Sequence, residues 1–233
     1  MFKCEIHKPL EIPELIINGK KTSPFDVNLS NPEAQVVFKK LAEVWSPLPH
    51  GLKNIKGQYQ FPKEITFFGG SYNPWHLGHT SCVELFPKKD QLVIVPDYNP
   101  LKSEELDSLW ENYLKILKLK QEHPKLQIYP GFWCNEKPNR TYPWVKQFKQ
   151  DTPNTKINLL MGYDSFLGLP KWFEYQALLN LLNHLYVVAR EDDKTLYEQS
   201  RLEYLTINPK LTITHLGHHD YESYKSQELR KLK

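Results

Sequence analysis

The chain has 233 residues, of which 40% are apolar, and its 30 Lys and Arg against 27 Asp and Glu give a formal net charge of +3. It contains no apolar run long enough for a membrane span and no signal-peptide pattern at its start, and its three widely spaced cysteines form no CxxC pair. We therefore expect a reduced, soluble, cytoplasmic protein with no disulfide framework, no cysteine zinc site, and neither a nucleic-acid nor a membrane partner.

The first part of the chain differs in texture from the rest. Seven of the 18 prolines fall within the first 62 residues, and only residues 33–45 there repeat apolar side chains at helical spacing. No chemical motif occurs in this stretch. We expect residues 1–63 to form an N-terminal extension of unassigned role, and residues 64–233 to form the main domain.

From residue 64 onward, short apolar strands alternate with amphipathic helices. The predicted strands are 65–68, 91–95, 126–129, 156–161, 185–189 and 211–215, and the predicted helices are 77–86, 105–121, 141–150, 172–182 and 193–205. This alternation predicts an α/β fold, a doubly wound parallel sheet with helices on both faces. Ligands of such sheets bind at the carboxyl ends of the strands.

The segment after the first of these strands has the composition of a phosphate site. It reads Gly69-Gly70-Ser71-Tyr72-Asn73-Pro74-Trp75-His76-Leu77-Gly78-His79. The glycines allow a sharp turn and a close ligand, and a spacing of three places both histidines on one side of a helix N-terminus, where N–H groups attract anions. Two zinc ligands are the alternative, but no further ligand has suitable spacing. Neither a Walker A nor a GxGxxG motif is present, which disfavours P-loop NTPases and dinucleotide oxidoreductases.

This segment resembles the GGSFNPxHxGH signature of the HxGH nucleotidylyltransferase superfamily, with Tyr72 in place of Phe. Within the superfamily it is most similar to nicotinate or nicotinamide mononucleotide adenylyltransferases, especially bacterial nicotinate-mononucleotide members. Three later segments match in family order: 96–102 is similar to the PxxxPPHK loop, with Leu101 for His; 161–172 resembles GxDxxxxLxxW; and 226–230 resembles SxxIR. The resemblance implies a Rossmann-like fold.

The resemblance also implies roles for individual residues. His76 and His79 would be catalytic, donating hydrogen bonds to phosphate oxygens. The expected ATP and phosphate contacts are Gly69, Gly70, Ser71, Lys102, Arg190, Ser226 and Arg230. The expected mononucleotide contacts are Asn73, Thr141, Tyr142, Asp164 and Trp172. Mg²⁺ would accompany ATP, and no protein side chain is assigned as its ligand.

The implied reaction is adenylyl transfer from ATP to nicotinate mononucleotide, or to nicotinamide mononucleotide, which yields the dinucleotide and pyrophosphate in NAD biosynthesis. Two alternatives stay open. One is another nucleotidylyltransferase of the superfamily, for example one acting on phosphopantetheine, although the segment 161–172 argues against it. The other is a non-catalytic nucleotide-binding relative, because Lys225 and Gln227 stand where Ser and Thr are common.

Overall fold

The computed structural model describes residues 2–45, 48, 61–97, 108–134, 139–189 and 193–223. These residues fall into two compact units. The first is drawn from residues 1–60, 70–75 and 93–139, and the second from residues 61–69, 76–92 and 140–233. The domain boundary that the sequence predicts between residues 63 and 64 stays a prediction.

The first unit begins with a small antiparallel sheet that the sequence analysis did not anticipate. Strands β1 (Cys4–His7), β2 (Glu14–Ile17) and β3 (Lys20–Thr22) pair in the order β1-β2-β3. Asn18 and Gly19 connect β2 to β3 with φ angles of 52° and 82°. Asn-Gly is a strong signal for a two-residue hairpin turn, because both of its positions require positive φ.

Helix α1 (Asn31–Ala42) follows this sheet and confirms the predicted helix at 33–45, shifted towards the N-terminus. Its start is fixed by Ser30 and Glu33, since the Glu33 carboxylate accepts hydrogen bonds from both the Ser30 backbone N–H (3.0 Å) and its hydroxyl (2.7 Å). This is a capping arrangement that satisfies a free donor at the helix start.

Six strands form the main sheet, in the order β6-β5-β4-β7-β8-β9. Their bounds are β4 (Glu64–Gly70), β5 (Leu92–Pro96), β6 (Gln127–Ile128), β7 (Lys156–Gly162), β8 (His184–Val188) and β9 (Thr212–His215). This order is the Rossmann type, in which the chain winds outward from a central strand in both directions. The predicted α/β fold and its strands are confirmed, with ends shifted by one or two residues.

The helices between the strands are α2 (Leu77–Leu85), α3 (Leu109–Glu122), α4 (Thr141–Asp151), α5 (Tyr163–Leu167), α6 (Tyr175–Leu181) and α7 (Lys194–Ile207). The prediction that a helix begins at residue 172 is wrong. Trp172 is extended and Glu174 has a left-handed backbone with φ of 54°, so α6 starts only at Tyr175. Among the described residues, no helix combines the length and apolar character that crossing a bilayer requires.

A lysine is buried at the end of α3. Lys120 is 3% exposed, and its ammonium donates a hydrogen bond to the backbone carbonyl of Leu126. Burial lowers the pKa of Lys120 to about 8, since desolvation disfavours the charged form. Between pH 8 and the ordinary lysine range, the unfolded chain therefore binds a proton that the folded chain has released, and stability rises with pH there.

We expect the free energy of unfolding of the parent chain to rise by about 3 kcal/mol, relative to Lys120→Met, as the pH increases from about 8 to about 10.5. Below pH 8 both states hold the proton, so the difference should be flat. Urea unfolding across this pH range measures it. Lys118→Met, an exposed lysine on the same helix, serves as the control and should follow the parent chain. Identical pH dependence in Lys120→Met and the parent would contradict the assignment.

Candidate active site

Strands β4, β7 and β8 of the second unit run parallel, so their carboxyl ends share one edge. Phe68 lies opposite Leu160, and Met161 lies opposite Val187. The strand order reverses its direction between β4 and β7. In sheets of this type the reversal opens a crevice at the carboxyl ends, where ligands bind. Gly69, at the end of β4, and Gly162, at the end of β7, therefore mark this edge.

His76 and His79 lie together at the start of α2. His76 is the residue before the first helical turn, and the two imidazole rings stack with centroids 3.8 Å apart. The backbone N–H of His76 donates to Nδ1 of His79 at 3.3 Å. A neutral imidazole that accepts at Nδ1 carries its proton on Nε2. His79 is thereby set up as an Nε2–H donor at a helix N-terminus.

Gly78 makes room for this histidine pair. A Cβ at Gly78 would lie 3.1 Å from the Cε1 and Nδ1 atoms of His76, and 3.3 Å from the carbonyl oxygen of Tyr221. Both distances are tighter than ordinary van der Waals contact. A larger residue here would have to displace the His76 ring or the chain at residue 221 by a few tenths of an ångström.

The first unit holds the loop that precedes the histidines. Tyr72 has a left-handed backbone with φ of 45°, and its buried ring packs against Trp75 with centroids 4.9 Å apart. A Cβ at Gly70 would lie 2.8 Å from the Tyr72 ring. Gly70 thus accommodates an aromatic ring of the protein, in addition to the sharp turn and the ligand approach expected from the sequence. Asn73 is buried and Ser71 half-buried in the same loop.

The glycine at the end of β7 has different surroundings. A Cβ at Gly162 would meet no described atom within 4 Å. Gly162 is the N-terminal cap of α5, and Asp164 lies exposed in the first turn of that helix. Packing among the described residues does not demand a glycine here, which fits an open approach for a ligand.

Helix α4 brings Thr141 and Tyr142 towards the same edge of the sheet. Trp144, near its start, packs edge-on against Phe67 at 5.0 Å, while Phe148, a turn later, contacts both Phe67 at 5.2 Å and Phe61 at 5.1 Å. Phe61 precedes β4, so α4 runs antiparallel to that strand. Its N-terminus therefore points towards the carboxyl end of β4.

An aromatic and cationic cluster lies at this N-terminus, formed by Arg140, Tyr142, Lys146 and Phe173. The Arg140 guanidinium sits 4.5 Å above the Phe173 ring, the Tyr142 ring lies 6.4 Å from it, and Lys146 lies 5.7 Å from the Tyr142 ring. Phe173 is 44% exposed, and the neighbouring Trp172 is half-buried. Arg140 and Phe173 are not among the residues predicted for the site, although each directly adjoins one of them.

Four predicted contacts cannot be placed in this way. Lys102, Arg190, Ser226 and Arg230 lie outside the described residues. The strands that lead to the first two are described: β5 ends at Pro96 and β8 at Val188.

No family model matches the chain, but its sequence is similar to those of several probable nicotinate-nucleotide adenylyltransferases. A probable nicotinate-nucleotide adenylyltransferase of Campylobacter fetus is 32% identical over 167 residues, which cover 64% of this chain and 83% of the relative. One from Legionella pneumophila is 25% identical over 185 residues, covering 72% and 87%. A structure of Plasmodium falciparum nicotinic acid mononucleotide adenylyltransferase complexed with APC aligns with a TM-score of 0.54 at 16% identity, over 73% of this chain and 83% of that one.

A doubly wound parallel sheet that carries a stacked HxGH histidine pair after its central strand defines the class of α/β nucleotidyltransferases, and the structural likeness supports this fold. The sequence comparison is more specific. At 32% identity over most of the Campylobacter protein's length, the chain belongs to the nicotinate-nucleotide adenylyltransferase family.

Gly70, the last residue of β4, and Gly162, the last residue of β7, should respond differently to replacement by alanine. We expect Gly70→Ala to lower the free energy of unfolding by about 1–3 kcal/mol, because its Cβ would overpack the Tyr72 ring. Gly162→Ala should stay within about 0.5 kcal/mol of the parent chain, since its Cβ meets open space. Urea unfolding of both variants makes the comparison. Equal losses would show that Tyr72 does not dictate the glycine at residue 70.

Proposed function

We propose that this chain transfers the adenylyl group of ATP to nicotinate mononucleotide, forming the dinucleotide and releasing pyrophosphate in NAD biosynthesis. The observation that carries this proposal is membership of the nicotinate-nucleotide adenylyltransferase family over most of the length of a 32% identical relative. The stacked histidine pair at a helix N-terminus supplies the chemistry that such a transfer needs.

The nucleophile in this reaction is a phosphate oxygen of the mononucleotide, which attacks the α-phosphorus of ATP in line while pyrophosphate leaves. A phosphate oxygen is already anionic, so the protein needs no strong base and no covalent intermediate. Catalysis then rests on positioning and on donors aimed at the charge that develops on the phosphates. His79, with its proton on Nε2, and His76 are suited to be those donors.

The other predicted residues divide between the two substrates. We assign the adenylyl and phosphate side to the backbone of residues 69–71 together with Lys102, Arg190, Ser226 and Arg230. We assign the mononucleotide to Asn73, Thr141, Tyr142, Asp164 and Trp172. The position of α4 supports the second group, because its N-terminus points to the same sheet edge as Gly69.

Mg²⁺ fits this arrangement as a companion of ATP. The ion prefers oxygen ligands, keeps several waters, and is commonly bound by phosphates with one or two carboxylates. Asp164 offers an exposed carboxylate at the carboxyl edge of the sheet, so the ion would be held chiefly by phosphates and water near this residue. When bound, it neutralises negative charge on the leaving pyrophosphate.

We further propose that the protein works in the cytoplasm on small-molecule substrates, and that residues 64–233 form the catalytic domain with residues 1–63 as its extension. Nucleic acid and membranes are not among its proposed partners.

The first test replaces a proposed catalytic donor. We expect His79→Ala to lose about 10²–10³-fold in the rate of pyrophosphate release from ATP, Mg²⁺ and nicotinate mononucleotide, because one phosphate donor is removed. Far-ultraviolet circular dichroism should be unchanged. His7→Ala, an exposed histidine in β1, is the matched control and should retain parent activity. Near-normal turnover in His79→Ala would overturn the proposed role.

The second test concerns the choice of pyridine. Arg140 and Lys146 place two positive charges in the cluster beside Thr141 and Tyr142, and opposite charges attract a carboxylate such as that of nicotinate. We expect kcat/KM to be higher for nicotinate mononucleotide than for nicotinamide mononucleotide. We expect Arg140→Ala to lower the ratio of these two kcat/KM values. Arg201→Ala, on α7, should leave the ratio unchanged. A parent chain that prefers the amide would contradict this assignment.

A further inference from the structure

Helix α3 carries a buried polar side chain on its apolar face. Trp110, Tyr113, Ile116 and Leu117 form that face, and Asn112 lies among them with only 1% of its surface exposed. A buried amide is costly unless its polar atoms find hydrogen-bond partners. The helical periodicity of the sequence does not account for an asparagine at this place.

The partner of Asn112 is the loop that leads to the histidines. Its Oδ1 accepts a hydrogen bond from the backbone N–H of Trp75 at 2.9 Å. Trp75 directly precedes His76, the residue that caps α2 and donates its own N–H to His79. A side chain on α3 thus fixes the backbone one residue before the histidine pair.

Helix α3 is in turn held by residues before position 45. The side chain of Asn31 accepts the backbone N–H of Leu109 at 2.9 Å, and the indole N–H of Trp110 donates to the carbonyl of Val27 at 2.9 Å. Both contacts are made at the start of α3, by Leu109 and Trp110, and Asn112 follows directly along the same helix.

Aromatic packing adds to these two hydrogen bonds. The Phe38 ring of α1 lies 6.1 Å from that of Trp110, 5.2 Å from that of Tyr113 and 5.2 Å from that of Trp133. Edge-on and tilted pairs at such distances are favourable beyond the area that they bury. The N-terminal residues therefore help to hold α3, and with it Asn112, in place.

We propose that Asn112 is a positioning residue for the nucleotidyl transfer and that residues 27–38 brace α3 so that it can fill this role. Asn112 acts through the Trp75 backbone on the placement of His76 and His79. This inference rests on the proposed function, and it assigns to the N-terminal residues a part in catalysis without any contact with substrate.

The central experiment compares Asn112→Leu, which keeps the size but removes the acceptor, with Asn112→Asp, which retains it. In Asn112→Leu we expect kcat to fall by about 10²-fold, because small misplacements of catalytic groups cost this much, with KM for ATP and for the mononucleotide changed less than about twofold. Asn112→Asp should recover most of the lost kcat. Asn31→Ala should lower kcat in the same direction but to a smaller extent.

Two further measurements separate positioning from loss of stability. Leu117→Ala is the matched control: it removes a buried side chain from the same helix, so it should lower the melting temperature at least as much as Asn112→Leu while keeping kcat near the parent value. Amide hydrogen exchange of the peptide spanning residues 71–79 should be faster in Asn112→Leu and unchanged in Leu117→Ala.

The outcomes are distinct. A folded Asn112→Leu with parent kcat, an equal loss in Leu117→Ala, no recovery in Asn112→Asp, or unchanged exchange in residues 71–79 would each overturn the inference while the proposed function stands. A parent chain that releases no pyrophosphate would overturn the proposed function, and with it the catalytic role of Asn112.

Discussion

The short connection from β4 to α2 is the constraint on which the site depends. Within six residues the chain must leave a buried strand and start a helix whose first turn presents two histidines. Gly70 accepts the Tyr72 ring, Tyr72 takes a left-handed backbone, and Gly78 makes room for His76. Most of the glycine and aromatic residues of the motif therefore serve the protein's own packing. This packing holds the two histidines together, and their rings stack. Because Nδ1 of His79 accepts a hydrogen bond, the proton of its neutral ring lies on Nε2.

The N-terminal residues are connected to the loop before the histidines through helix α3. The loop residues 70–75 belong to the same unit as the first strands, α1 and α3. The Asn31 side chain and the Val27 carbonyl accept hydrogen bonds from the start of α3, and the Phe38 ring packs against the same helix. Asn112 of α3 in turn accepts a hydrogen bond from the Trp75 N–H. Catalysis by positioning makes this relevant, because a transfer without a base or covalent intermediate depends on where its donors stand.

The sequence predicted the main sheet well because buried parallel strands are short apolar runs followed by glycine or proline, as at Gly69-Gly70 and Pro96. It also predicted the histidine pair, whose spacing of three fits a helical turn. It missed the β2–β3 hairpin, although Asn18-Gly19 signals it. It also began a helix at Trp172, because the left-handed Glu174 has no residue signature. The roles of Arg140, Phe173 and Asn112 could not be predicted from the sequence for another reason. Arg140 and Phe173 contact each other from distant parts of the chain, and Asn112 bonds to a backbone atom. Periodicity carries no information about either kind of contact.

In the proposed reaction, the adenylyl group of ATP passes to the mononucleotide in a single direct step. The most direct measurement uses ATP that carries one stereochemically defined sulfur on its α-phosphate, together with Mg²⁺ and nicotinate mononucleotide, and determines the configuration at phosphorus in the product. An in-line attack by the mononucleotide phosphate predicts the dinucleotide with inverted configuration. Retention of configuration would contradict the account, because it requires a covalent adenylyl-enzyme, and so would the absence of any dinucleotide.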